Sequence, residues 1–135
     1  MSRTALITGA TSEIGQSIVA GFVQSGLRCA ISARRSDRLE DIAQKYRHVG
    51  TGVVPIAADM AIDEDRRLVV DKTRAELGGP DVLVYVAARS AIKPILEFPD
   101  EDWQRGFAVN VDGAPLRWPS SSLPACASAV GVGAS

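Results

Sequence analysis

The chain has 135 residues, 46% apolar and 23% charged, enough for one domain with a core. Lys and Arg number 15 and Asp and Glu 16, a net charge of −1; no basic excess points to nucleic acid or an anionic membrane. The chain shows neither an apolar run as long as a membrane span nor a signal peptide, and Cys29 and Cys126 form no Cys-x-x-Cys. Metal and disulfide frameworks are therefore not expected, and a reducing cytoplasm is the expected compartment.

Strand and helix signals alternate along the chain. Residues 3–8 read as a first strand. The small-residue turn Thr8-Gly9-Ala10-Thr11-Ser12-Glu13-Ile14-Gly15 leads into a helix over 13–25, capped by Ser12 or Thr11. Ile14, Ile18, Val19, Phe22 and Val23 share one face of it. Such a strand–turn–helix unit suits a nucleotide phosphate: the turn admits a close approach to the backbone, and the helix start offers unpaired N–H groups and a positive dipole end. Gly26 ends the helix. Arg28–Ala33 is a second strand, and Ser36 caps a helix whose buried stripe is Leu39, Ile42, Ala43 and Tyr46. His48, the single histidine, sits in a polar connection and reads as solvated; no Ser-His-Asp arrangement is visible around it.

Residues 50–57 read as a third strand, and Asp63–Leu77 as a charged amphipathic helix closed by Gly78-Gly79-Pro80. Residues 81–86 form a near-continuous apolar strand of the kind buried on both faces in parallel sheets. Asp100 caps a fourth helix running to about Val111. This alternation predicts an α/β fold with a parallel sheet of about four strands.

Five of these segments, in this order, resemble the short-chain dehydrogenase/reductase family, and the likeness covers residues 3–113. Thr8, Gly9 and Gly15 match its glycine-rich turn, with Glu13 in place of a glycine. Ser32-Ala33-Arg34-Arg35 ends the second strand, Ala58-Asp59-Met60 follows the third, and residues 81–88 match the fourth-strand motif. Asp102-Trp103 and Val109-Asn110-Val111-Asp112-Gly113 match the following helix. The fourth-strand motif departs from the family's Asn-Asn-Ala-Gly ending: Tyr85 and Val86 replace both asparagines and Ala88 the glycine, leaving Ala87. Tyr85 and Arg89 have a Tyr-x-x-x-basic spacing, read as coincidence because they lie in a strand and a loop.

The resemblance implies a partial Rossmann domain, a doubly wound parallel sheet over residues 1–112. It implies a nicotinamide dinucleotide held by Thr8, Gly9, Thr11, Ser12, Ile14, Gly15, Arg34, Arg35, Asp59, Met60 and Ala87. Within that set Asp59 meets the adenine amino group. A basic residue after the second strand pairs with the 2′-phosphate of NADP where an acid would bind the ribose of NAD, so Arg34 implies NADP(H) in preference to NAD(H). Asn110 matches the family's water-holding position in its proton relay.

The family's catalytic Ser, Tyr and Lys lie beyond that Asn. Here no Tyr follows Tyr85 and no Lys follows Lys93, and Ser120, Ser121 and Ser122 precede no Tyr-x-x-x-Lys. From Gly113 the composition changes: Pro115, Pro119 and Pro124 break any helix and Arg117 is the single charge, so residues 113–135 read as a low-complexity, disordered tail. One permitted set of codons for residues 125–133, read a frame over, spells Met-Arg-Glu-Arg-Gly-Trp-Gly-Arg, a charged helix end. A change of reading frame near Gly113 is the preferred explanation, with a natural linker as the alternative. The expectation is a chain of oxidoreductase lineage, acting on alcohol and carbonyl groups in its family, that is itself inactive or nearly so. The alternatives are a non-catalytic dinucleotide-binding module and an unstable truncated product. An incomplete sheet also predicts exposed apolar surface and homo-oligomerisation or non-specific self-association.

Overall fold

A computed structural model describes residues 3–50, 52–113 and 129–131. The expectations for the rest of the 113–135 tail, Cys126 and Ser120–Ser122 included, lie outside the described residues. The elements are β1 (Thr4–Thr8), α1 (Glu13–Gln24), β2 (Arg28–Ala33), α2 (Ser36–Lys45), β3 (Val53–Ala57), α3 (Asp63–Leu77), β4 (Val82–Tyr85), a 3₁₀ turn (Ile95–Glu97), α4 (Asp100–Phe107), a π turn (Ala108–Asp112) and β5 (Ala129–Gly131). All strands pair in parallel, in the order β3-β2-β1-β4-β5. Four of these strands are the parallel sheet expected from the sequence; a short fifth, Ala129–Gly131, lies inside the tail for which no structure was expected and pairs with Leu83–Tyr85 of β4.

The strand order follows from how the chain turns. β1 leads outward through β2 to β3, then the chain returns across β1 to β4 on its other side. This reversal opens a crevice above the carboxyl ends of β1 and β4, where open α/β sheets bind ligands. The near-continuous apolar strands bury both faces. On one face Ala5, Ile7, Cys29, Ile31 and Val84 pack beneath α1 and α2. On the other Leu6, Ala30, Ile56, Leu83 and Tyr85 pack beneath Val69, Val70 and Leu77 of α3. The Asp81 carboxylate accepts the Thr4 backbone N–H at 2.8 Å and fixes the start of β1 against β4. Pro55 has no N–H to give the ladder and is tolerated because β3 is an edge strand.

Several boundaries differ from those expected. β3 begins at Val53 because residues 46–52 close two successive turns, Tyr46 to Val49 and Val49 to Gly52, the latter at φ +64°. Ser36 is the first residue of α2 rather than its cap, and Arg35 occupies the cap without a side-chain bond. α4 starts after Pro99 and ends at Phe107, giving way to the π turn, so Asp100 is a first-turn residue. Ile14 leaves the predicted buried face of α1 and is 47% exposed, while Val19 and Val23 are core. Ile92, Ile95, Leu96, Trp103, Phe107 and Val111 stand exposed on the loop after β4, on α4 and on the π turn. Among the described residues no helix is long and apolar enough to cross a membrane.

Leu6 is fully buried at the middle of the sheet. Leu6→Ala is expected to lower stability by about 2–5 kcal/mol, read from the urea midpoint at unchanged slope. Burial pushes the Tyr85 phenol up to about 12. Its neutral form is therefore favoured by the fold, and its contribution is complete below the unfolded value near 10 and lost as pH rises towards 12. In a Tyr46→Phe variant, where Tyr85 is the single tyrosine, phenolate absorbance should appear at about pH 12 rather than near 10 while the fold survives.

Candidate dinucleotide-binding cleft

The turn between β1 and α1 is shaped by what cannot fit in it. Gly9 has φ +67°, and a Cβ there would come 2.5 Å from the Ala87 nitrogen. A Cβ on Gly15 would strike the Gly9 carbonyl oxygen and lie 2.8 Å from the Ala10 Cα. The two glycines let the turn lie flat against the segment after β4 and let α1 start directly on top of it. Ser12 is the cap: its Oγ accepts the Gly15 N–H at 3.0 Å and donates to the Gly9 carbonyl at 2.9 Å. Among the described residues the Glu13 and Ile14 amides have no hydrogen-bond partner, as the start of a helix requires. They leave an anion site backed by the dipole of α1.

This turn forms one wall of a cleft of about 290 Å³. Gly9, Thr11, Ser12, Ile14, Arg34, Asp59, Met60 and Ala87 all line it, so eight of the residues expected from sequence meet in one place. Ile14, exposed on α1, is thus part of the cleft lining. Thr8 and Gly15 lie beneath the lining. Arg35 is outside the lining and pairs with Asp37 at 2.8 Å, so of the two adjacent arginines Arg34 is the one on the cleft. Glu13 is an exposed first-turn acid outside the lining. The Asp59 carboxylate accepts the Ala61 N–H at 2.9 Å, and its own backbone N–H donates to Asp65 at 2.8 Å, holding the strand end in a tight turn.

Asn110 lies in a neighbouring groove of about 310 Å³ between α4 and the loop after β4, with Trp103 and Phe107. Its Oδ1 accepts the Arg89 N–H at 2.9 Å and its Nδ2 donates to the Arg89 carbonyl at 2.8 Å. The Lys93 ammonium hydrogen-bonds Asp102 at 2.6 Å and holds its carboxyl below the usual carboxylate range, with help from Arg89. Arg89 lines both cavities and forms the wall between them. Sequence reasoning missed Arg89 and Val109 as cleft residues, since a loop and a helix interior carry no local mark of what they face. Ala88 also lines the cleft, where its methyl replaces the hydrogen of a glycine. Burial pushes the Cys29 thiol up to about 11, so it supplies no thiolate. No group of three metal-type side chains converges among the described residues.

The cradle fits a dinucleotide: glycines where the backbone must be approached, free helix N–H groups for a diphosphate and a guanidinium at the far end. Comparison with known proteins gives the family. The family model described as short chain dehydrogenase matches residues 3–117. Glucose 1-dehydrogenase of Gluconobacter oxydans is 34% identical over 116 residues, 84% of this chain and 43% of that protein. The L-sorbose reductase of Gluconobacter frateurii, solved with NADPH and L-sorbose, superposes with a TM-score of 0.82 at 34% identity, over 91% of this chain and 46% of that one. An alcohol dehydrogenase of Thermococcus sibiricus, solved with 5-hydroxy-NADP, gives 0.78 at 30% identity, over 84% and 48%. The chain spans less than half the length of these relatives. With that family model matching residues 3–117, most of its length, the chain belongs to the short chain dehydrogenase family.

Proposed function

We propose that the cleft holds a nicotinamide dinucleotide, NADP(H) in preference to NAD(H), and that these residues form the nucleotide-binding part of an oxidoreductase of alcohol and carbonyl groups. The observation that carries this reading is that the phosphate-cradling turn and Arg34 face the same cleft. The Glu13 and Ile14 amides would hold the diphosphate. Arg34, not spent on an acid as Arg35 is, would take the 2′-phosphate through a planar pair of donors. Asp59 would lie towards the adenine. The co-crystallised NADPH and 5-hydroxy-NADP of the two structural relatives support the phosphorylated cofactor.

A bound nicotinamide would supply hydride exchange with the substrate carbon. The oxygen of Asn110 and one of its N–H groups are engaged by Arg89, so its part in this chain is to fix the loop after β4. The proton-handling Tyr and Lys of the family are not among these 135 residues, which hold no Tyr after Tyr85 and no Lys after Lys93. We expect them alone to bind cofactor and to turn over substrate little or not at all. Clear NADPH oxidation with mixed carbonyl compounds would reverse that reading.

Fluorescence titration should find NADPH bound more tightly than NADH. Arg34→Ala should weaken NADPH by about ten- to a hundredfold and leave NADH within about twofold. Equal loss for both cofactors, or wild-type preference for NADH, would sink the assignment of Arg34. Gly9→Ala should abolish binding of both and lower the melting temperature, because its Cβ has no room beside Ala87.

A further inference from the structure

We propose that Tyr85 is a positioning residue for the cleft: its phenol holds the π turn that orients Val109 and Asn110. In an α-helix the Gly113 N–H would bond the Val109 carbonyl, four residues back. Here it bonds the Ala108 carbonyl at 2.8 Å, five residues back. That shift releases the Val109 carbonyl, and the Tyr85 hydroxyl donates to it at 2.6 Å. The next residue, Asn110, clasps Arg89 through two bonds. Two adjacent residues of the turn are thus tied to two points four residues apart, at the end of β4 and in the loop beyond it.

The packing around the phenol is specific to this arrangement. A Cβ on Gly113 would strike the Tyr85 hydroxyl and would lie 2.7 Å from the Val109 carbonyl oxygen and 2.8 Å from that of Met60. Gly113 has φ −74°, an ordinary value, so the requirement there is for space alone. The Met60 carbonyl is itself held by the Arg66 guanidinium at 2.6 Å. Met60 and Val109 both line the cleft, and Tyr85 does not. The phenol therefore sits behind the lining, where the loop after β3 and the π turn meet. A π turn inserts one residue into the helical repeat and turns the side chains on either side of it relative to one another by about 100°. The direction Asn110 faces depends on that insertion, and the released Val109 carbonyl needs a buried donor for the insertion to persist.

The effect on ligands rests on the dinucleotide reading above; the latch itself does not. Tyr85→Phe removes one hydroxyl and keeps the ring. Hydrogen exchange followed by NMR should show the Arg89 amide exchanging about five- to tenfold faster in the variant, with the Leu6 amide in β1 unchanged. In titrations, NADPH should weaken by about fivefold while 2′,5′-ADP, which lacks the nicotinamide half, stays within about twofold. Unchanged exchange at Arg89, or equal weakening of both ligands, would overturn the proposal. If the wild-type chain binds neither ligand, the dinucleotide reading fails, and the exchange rates still decide whether Tyr85 holds the turn.

Discussion

The backbone of the first turn rests against the backbone that follows β4, and only hydrogen fits between Gly9 and Ala87. The rest of the site depends on this contact. It brings the β1 and β4 ends together at the point where the strand order reverses. It sets the start of α1, with its two unpaired amides, beside the cleft. Gly15 repeats the demand one layer up, against Gly9 and Ala10, so the helix cannot be raised off the turn without opening the site. Charge plays a secondary part in this geometry: Arg34 stands exposed on the cleft lining, whereas the close backbone contacts at Gly9 and Gly15 leave no room for a side chain.

The opposite wall is built by a different kind of force. Around Val109 and Asn110 the chain departs from regular helix and is held by hydrogen bonds from distant residues: Tyr85 serves Val109 and Arg89 serves Asn110, while in the adjoining loop after β3 the nearby Arg66 serves Met60. One wall is fixed by steric exclusion and the other by a polar network. Each bond of that network is individually modest, and the wall it forms is the one that variation in β4 can adjust.

Elements with a local physical cause were legible in the sequence. α3 runs from Asp63 to Leu77 as read, because acids fill its first turn and Gly78 closes it at φ +84°. The glycine turn was legible for the same reason, since its small residues have no other use between an apolar strand and a helix. What escaped was set by contacts far along the chain. α4 shows no local signal at Phe107; the helix changes there because Tyr85 and Arg89 hold the residues beyond. Arg34 and Arg35 are adjacent and alike in sequence, and only the twist at the end of β2 separates a cleft residue from a surface ion pair. Tyr85 was read for its spacing to Arg89, while its hydroxyl acts across the sheet on α4's extension. The three-residue strand in the tail, Ala129–Gly131, is a small apolar run with no periodicity long enough to read.

The Asp81 carboxylate joins Thr4 across 77 residues of chain. β1, β2 and β3 can pair through short crossovers as soon as they exist, but the β1–β4 ladder must wait for the whole of α3 and then close a long loop at an entropic cost. During synthesis, which delivers the N-terminal residues first, the three-stranded half of the sheet is available while the flank of β1 that will receive β4 is still bare. The cleft is made only when that flank is filled. The cleft is therefore complete only after a long-range closure, and the proposed cofactor, spanning Gly9 and Ala87, would act as a clamp on the β1–β4 seam.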